Sequence, residues 1–90
     1  NNGEGNIFRI IPGPSNTNAV DEFIATKHHK NVENLAKHFG FSYFKVEEEE
    51  TFLRVLDNFF KADEKPKILE IDTSEIQNAD VLKNYFNALK

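Results

Sequence analysis

The sequence predicts an α/β fold built from short parallel strands that alternate with helices. The segment 41–46 is rich in aromatic and β-branched residues, and 67–71 is a short apolar run introduced by Pro66. Apolar residues at helical spacing precede, separate and follow these two segments. Strands joined through helices pair in parallel with right-handed crossovers, which is the doubly wound layout. Because two strands leave the edges and faces of a sheet uncovered, the pattern predicts half of a larger doubly wound parallel sheet.

The first thirty residues are predicted to form an irregular stretch that faces a ligand. Proline and glycine at 12–14 and the polar run 15–18 disfavour regular structure there. A single helical turn around 7–11 is compatible with this prediction.

Residues 31–90 are predicted to run helix, strand, helix, strand, helix. Asn31 can cap the first helix, and Gly40 supplies a left-handed residue that ends it. The apolar face of this helix is predicted to comprise Val32, Leu35, Ala36 and Phe39.

The second and third helices are predicted from their starts and their apolar spacing. The acidic run 47–50 precedes the second helix, where it favours the helix dipole and is predicted to form a solvated first turn instead of a metal site. Asn78 is predicted to cap the third helix. The predicted buried side of that helix comprises Val81, Leu82, Tyr85, Phe86 and Leu89.

Composition excludes several classes of function. A hydrophobic share of 39% with nine phenylalanines predicts a folded domain instead of a disordered tail. The net charge of −4 leaves no basic stripe for nucleic acid. The absence of cysteine rules out disulfides, thiol catalysis and thiolate zinc sites, and fits a reducing compartment. No apolar run is long enough to span a bilayer, so a cytoplasmic location is expected.

The opening Asn1-Asn2-Gly3-Glu4-Gly5 is the segment most suggestive of chemistry. Side-chain amide oxygens and main-chain carbonyls can turn toward one hard cation, and Mg²⁺ accepts such ligands together with phosphate oxygens. The two glycines allow a close approach of the backbone to a ligand. The alternative is an ordinary turn, which local chemistry alone favours.

The run 1–14, Asn-Asn-Gly-x-Gly-x-Ile-Phe followed by an apolar stretch and Pro-Gly, resembles the thiamine diphosphate enzymes. Within that family it is similar to the 2-succinyl-5-enolpyruvyl-6-hydroxy-3-cyclohexene-1-carboxylate synthases of menaquinone biosynthesis. The resemblance implies that residues 1–90 are a C-terminal fragment of the diphosphate-binding domain, beginning within a larger protein. It continues through Thr26-Lys27-His28, Leu35-Ala36, Phe39-Gly40, Tyr43, Val46 and Ile68-Leu69-Glu70-Ile71.

The resemblance also implies a cofactor site. The side-chain oxygen of Asn2 and the main-chain carbonyl of Glu4 would bind Mg²⁺. Glycine usually occupies the position of Glu4, where a left-handed φ would cost a side chain about 1 kcal/mol. The Glu4 carboxylate would also have to point away from the diphosphate. The implied residues that bind thiamine diphosphate are Asn2, Gly3, Glu4, Gly5, Ile7 and Phe8.

Four other residues near this motif carry weaker signals. Ile7 and Phe8 are implied to form an apolar wall near the thiazolium ring, which would exclude water, or else to be core residues. Arg9 is predicted to lie at the surface, without a substrate role. His28 is predicted to anchor the loop through a hydrogen bond. None of the 90 residues is implied to be catalytic.

By resemblance, the whole enzyme would decarboxylate 2-oxoglutarate and add the resulting succinic semialdehyde carbanion to isochorismate. In this family the carboxylate that activates the cofactor comes from a partner subunit, so a homo-oligomer, at least a dimer, is expected. The fragment alone would be inactive. The alternatives are another thiamine diphosphate-dependent enzyme, such as an acetolactate synthase or a 2-oxo acid decarboxylase, and a small non-enzymatic α/β interaction module.

Overall fold

The computed structural model describes all 90 residues and divides them into two compact units. The first unit comprises Asn1 and Lys30–Asp72, and the second comprises Asn2–His29 and Thr73–Lys90. The first unit contains α1 (Glu33–His38), β1 (Ser42–Val46), α2 (Glu49–Phe59) and β2 (Lys67–Ile71). The second unit contains α3 (Asn78–Ala88) and three short helical turns.

The sheet of the first unit has two parallel strands. Ser42 of β1 lies opposite Lys67 of β2, and the register continues to Val46 opposite Ile71. The α/β class and the parallel pairing are therefore confirmed, and the bounds of β2 are those predicted. β1 begins at Ser42, one residue later than predicted. Helices on both faces of a larger doubly wound sheet stay a prediction.

Helix α1 has Val32 as its N-cap residue; Asn31, the predicted cap, lies one residue earlier but still bonds the start of the helix, and the helix does not bury the predicted face. The Oδ1 atom of Asn31 accepts a hydrogen bond from the Glu33 amide at 3.1 Å, and Gly40 has a φ of +75°. Ala36 is buried, whereas Leu35 and Phe39 are exposed, so the prediction is wrong for these two residues. Leu35 and Phe39 lie about 40° apart around the helix axis, and Ala36 lies about 100° from Leu35 and about 60° from Phe39, on the side that packs against the unit.

Helix α2 connects β1 to β2 and packs on β1. Glu49 and Glu50 form its exposed acidic first turn, as predicted. The ring of Phe59 meets that of Phe44 on β1 edge to face, with centroids 5.8 Å apart. Leu53 of the same helix remains exposed. The helix therefore uses part of its apolar surface to hold β1.

Helix α3 begins at Asn78 itself, and Gln77 is its N-cap residue. The Asn78 side chain donates through Nδ2 to the carbonyls of Thr73, at 2.7 Å, and Ile76, at 3.0 Å, so it closes the preceding loop. The predicted capping role, in which the side chain would accept, is wrong. The predicted burial is wrong for four of the five residues of that face, whereas Leu82 is half-buried; the buried residue of the helix is Ala79. The exposed members of the predicted face are Val81, Tyr85, Phe86 and Leu89.

The first thirty residues are more regular than predicted. They contain 3₁₀ turns at Asn6–Arg9 and Pro14–Asn16 and a π-helical turn at Val20–Ile24. The second turn forms because Pro14 presets a helical φ, while Gly13, with a φ of +97°, reverses the chain before it. Proline and glycine here start a short turn instead of preventing one.

The buried core is small. Its apolar members are Ala36 and Val46 in the first unit, and Val20, Ala25 and Ala79 in the second, while larger side chains such as Phe60 and Phe23 remain exposed. None of the helices combines the length and the apolar composition needed to cross a lipid bilayer.

Candidate functional site

Asn2 and Glu4 form a tight turn in the second unit. The Oδ1 atom of Asn2 accepts a hydrogen bond from the Glu4 amide at 3.1 Å, and Gly3 between them has a φ of +70°. Glu4 itself is not in the left-handed region, so Gly3 alone provides the positive φ and the strain considered for Glu4 is absent. An amide oxygen has two lone pairs, and the turn uses one of them.

Two main-chain hydrogen bonds anchor this turn to the segment that follows Val20–Ile24. The His28 amide donates to the Gly3 carbonyl at 2.7 Å, and the Gly5 amide donates to the Ala25 carbonyl at 2.6 Å. The main chain of His28 thus anchors the turn, while an anchoring role for its imidazole stays a prediction. These bonds fix the backbone on both sides of Glu4.

Gly3 has no room for a side chain. It is buried, and a Cβ atom there would lie 3.0 Å from the Cβ of Ser74 and 3.2 Å from the carbonyl oxygen of His28. Both contacts are with atoms that cannot swing away easily. The turn therefore depends on glycine for space as well as for its backbone conformation.

We expect Gly3→Ala to destabilise the protein by about 2 kcal/mol or more, since left-handed strain adds to steric crowding. Gly40→Ala is the matched control, because Gly40 has a similar φ of +75° but a Cβ added there would meet nothing within 4 Å. The control should lose about 1 kcal/mol. Urea unfolding followed by circular dichroism measures both variants. Equal losses would contradict the crowding at Gly3.

The Glu4 carboxylate is held by Arg9. Nε of Arg9 donates to Oε1, and Nη2 donates to Oε2 at 3.0 Å; Nη2 also donates to Oδ1 of Asp21 at 2.6 Å. The Arg9 side chain is 24% exposed and that of Glu4 is 14% exposed, so Arg9 reaches the surface as predicted but is partly covered. The hydrogen bonds from Arg9 lower the pKa of Glu4 although burial opposes this, and those to Glu4 and Asp21 raise the pKa of Arg9.

A polar cavity of about 560 Å³ opens beside this turn, within the second unit. Asn2, Gly3 and Glu4 line it, so the structure brings these three predicted site residues together. The rest of the lining was not predicted from the sequence. It includes Arg9, Asp21, Lys27, His28, His29 and the segment 74–78.

The other three predicted site residues lie outside the lining of this cavity. Ile7 is 56% exposed, which does not fit the alternative of a core residue. Phe8 is half-buried and packs over Gly5, where a Cβ atom would lie 2.9 Å from the phenyl ring. Gly5 thus makes room for Phe8.

The oxygen atoms at this turn are of the kinds that bind Mg²⁺ in proteins. Asn2 offers an uncharged amide oxygen, and the Glu4 carbonyl takes no part in the main-chain hydrogen bonds of the loop. Mg²⁺ prefers oxygen ligands and usually takes a few protein ligands together with phosphate oxygens and water. No group of three or more His, Asp or Glu side chains in the chain is arranged to hold a metal ion.

Asn1 is held in the first unit by Glu70, at the carboxyl end of β2. Nδ2 of Asn1 donates to Oε2 of Glu70 at 2.8 Å and to the Lys30 carbonyl at 2.9 Å. Oε1 of Glu70 accepts from the Val32 amide at 3.2 Å and from the Tyr43 hydroxyl. Burial raises the pKa of Glu70, but the hydrogen bonds from Tyr43, Asn1 and the Val32 amide outweigh it and leave the pKa below its usual value.

The lowered pKa of Glu70 predicts a loss of stability in acid. The unfolded chain takes up this proton near the ordinary value of 4.5, whereas the folded chain takes it up at lower pH. The stabilisation by the ionised Glu70 is therefore complete above pH 4.5, and it disappears as the pH falls through the pKa of Glu70 in the folded chain. We expect the difference in unfolding free energy between the native protein and Glu70→Gln to shrink in urea titrations from about pH 7 to about pH 3. A constant difference would contradict an ionised Glu70.

Comparison with known proteins gives a consistent set of relatives. The chain is 38% identical over 89 residues to a 2-succinyl-5-enolpyruvyl-6-hydroxy-3-cyclohexene-1-carboxylate synthase of Flavobacterium johnsoniae, covering 99% of this chain and 16% of that protein. Proteins of the same name from Christiangramia forsetii and Porphyromonas gingivalis are 37% identical over 90 residues and 36% identical over 85 residues. These alignments cover 100% and 94% of this chain, but 16% and 15% of the relatives.

Two further comparisons found nothing. No protein-family model matches the chain. No solved structure matches it either. The relation rests on the sequence similarity to these synthases, of whose length the chain spans about 16%.

Proposed function

The chain is a homologue, along its whole length, of one segment of the 2-succinyl-5-enolpyruvyl-6-hydroxy-3-cyclohexene-1-carboxylate synthases, and we propose that it supplies the loop of such an enzyme that binds Mg²⁺ and thiamine diphosphate. The observation that carries this proposal is the meeting of Asn2, Gly3 and Glu4 at one polar cavity. An ordinary turn would also form the Asn2 hydrogen bond. The cavity and the buried Gly3 support a ligand-facing role for the turn.

Each residue of the turn has a proposed task. Asn2 would bind Mg²⁺ through Oδ1, and Glu4 would bind it through its main-chain carbonyl. Gly3 would let the backbone approach the diphosphate, because it carries no side chain. Bound thiamine diphosphate supplies an electron sink for the loss of carbon dioxide from a 2-oxo acid. The protein would position the bound cofactor and set the charge around it.

Gly5, Ile7 and Phe8 complete the proposed cofactor-binding segment. Gly5 would support it by allowing Phe8 to pack closely, as the 2.9 Å contact of a Cβ at Gly5 indicates. The exposed Ile7 and the half-buried Phe8 would offer apolar surface to the cofactor or to the substrate. Apolar surface at such a place would help to exclude water.

We further propose that the chain is the C-terminal part of a doubly wound diphosphate-binding domain in a cytoplasmic homo-oligomeric enzyme of menaquinone biosynthesis. The parallel pairing of β1 and β2 supports this layout. The apolar side chains left exposed on α2 and α3, among them Leu53, Tyr85 and Phe86, would pack against the rest of such a protein. The enzyme would release carbon dioxide from 2-oxoglutarate and add the remaining four-carbon unit to isochorismate.

An assay on the whole protein tests the proposed reaction. The protein is dialysed against a chelator and then given 2-oxoglutarate and isochorismate, with Mg²⁺ and thiamine diphosphate added singly or together. We expect carbon dioxide and the adduct only when both cofactors are present. In a parallel assay with pyruvate as the 2-oxo acid, turnover of pyruvate but not of 2-oxoglutarate would instead identify a synthase of the acetolactate type. No turnover of any 2-oxo acid would contradict the enzymatic function.

A further inference from the structure

We propose that Arg9 is a positioning residue for the cofactor loop, one that neutralises the Glu4 carboxylate so that the adjoining cavity can accept an anionic diphosphate. This inference rests on the proposed function, since it assumes that the cavity receives thiamine diphosphate. In this proposal the two side chains act as a pair, because the charge of Arg9 cancels that of Glu4 beside the cavity.

The geometry ties the two side chains closely together. Arg9 binds both oxygens of the Glu4 carboxylate, through Nε and through Nη2. A guanidinium that grips a carboxylate in this two-point manner fixes its orientation as well as its charge. Both side chains are largely shielded from solvent, with 24% of Arg9 and 14% of Glu4 exposed. Water and salt therefore screen this ion pair less than an ordinary surface ion pair.

The charge balance at the cavity depends on Arg9. Three carboxylates, those of Glu4, Asp21 and Glu75, line the cavity together with the cations Arg9 and Lys27, and Arg9 bonds to Glu4 and Asp21. Without its guanidinium, three negative charges and only one positive charge would face the space into which a diphosphate must enter. Like charges at short distance in a partly desolvated site oppose binding.

Arg9 also acts on the metal-binding atoms through Glu4. The Glu4 amide donates to Oδ1 of Asn2, so the residue that Arg9 holds by its side chain orients the proposed Mg²⁺ ligand by its main chain. A direct role for Arg9 in binding the ligand is less consistent with the structure, because Nε and Nη2 are already bonded to carboxylates.

Three variants of the whole protein test this proposal: Arg9→Gln, Glu4→Gly and the double variant. The metal-free protein is titrated with thiamine diphosphate at saturating Mg²⁺ in a calorimeter. We expect Arg9→Gln to weaken binding about tenfold or more, because it leaves the Glu4 carboxylate unpaired. The affinity of Glu4→Gly is the reference of the double-mutant cycle, and the double variant should bind within about twofold of Glu4→Gly, which recovers most of the affinity lost by Arg9→Gln.

The affinity of the double variant for thiamine diphosphate distinguishes the proposal from direct ligand binding by Arg9 and from a purely structural role. A double variant as weak as Arg9→Gln would overturn the proposal, because Arg9 would then contact the ligand directly or support the fold alone. Arg9→Lys retains the charge but not the two-point contact, so it should bind more weakly than the native protein but by less than about tenfold. It tests the same idea if Arg9→Gln does not fold. Binding by Arg9→Lys that is about tenfold weaker or worse would also overturn it. Failure of the native protein to bind thiamine diphosphate would contradict the proposed function itself.

Discussion

Replacing Asn2 by alanine in the whole protein is expected to raise, by more than about tenfold, the concentrations of Mg²⁺ and thiamine diphosphate needed for half-maximal activity. The substitution removes a proposed oxygen ligand and leaves no other side chain to replace it. It also removes the acceptor of the hydrogen bond from the Glu4 amide. Cofactor titrations of activity, with calorimetry on the metal-free protein, measure the effect.

Two controls separate ligand loss from loop damage in this prediction. Asn2→Asp keeps an oxygen at the same place, for the metal and for the Glu4 amide, so it should lose less affinity for Mg²⁺ than Asn2→Ala. Asn18→Ala removes an exposed asparagine outside the cavity and should leave cofactor dependence unchanged. An unchanged cofactor requirement in Asn2→Ala would remove the metal assignment.

Replacing Glu70 by alanine is expected to lower the unfolding free energy by about 3 kcal/mol. The carboxylate is 6% exposed and accepts hydrogen bonds from Asn1, Val32 and Tyr43. Its removal leaves these donors without their acceptor inside the first unit, and hydrogen bonds to a charged group are among the stronger ones. Urea unfolding at neutral pH gives the loss directly.

Glu70→Gln refines this second prediction. Its amide oxygen can still accept from Val32 and Tyr43, but its NH₂ group would face Nδ2 of Asn1, which is also a donor. We therefore expect a loss of about 1–2 kcal/mol, smaller than for Glu70→Ala. Equal losses in the two variants would show that the hydrogen bonds at Oε1 contribute little.

Local patterns in the sequence predicted much of the secondary structure. The strand at Lys67–Ile71 and the left-handed Gly40 depend on neighbouring residues, so propensity and turn chemistry suffice to find them. The spacing of apolar residues predicted which side chains are buried less well than it predicted where the helices lie. It showed that α3 has an apolar face, but not which part of that face the rest of the unit covers.

The candidate site, too, could be predicted only in part from the sequence. The Asn-Asn-Gly opening and its resemblance to a family directed attention to Asn2, Gly3 and Glu4, which do meet at a cavity. The pairing of Glu4 with Arg9 follows from the turn at Asn6–Arg9, and spacing along the chain gives no sign of it. The segment 74–78 joins the lining from far away in sequence, which single-sequence reasoning had no means of detecting.

The most direct test of the cofactor-loop assignment is a crystal structure of the whole protein with Mg²⁺ and thiamine diphosphate. We expect Oδ1 of Asn2 and the main-chain carbonyl oxygen of Glu4 to lie about 2.0–2.1 Å from the metal, the usual distance for Mg²⁺ ligands. Arg9 should still bind the Glu4 carboxylate in that complex. A Mg²⁺ ion coordinated elsewhere, with the Asn2–Glu4 turn remote from the diphosphate, would contradict the assignment.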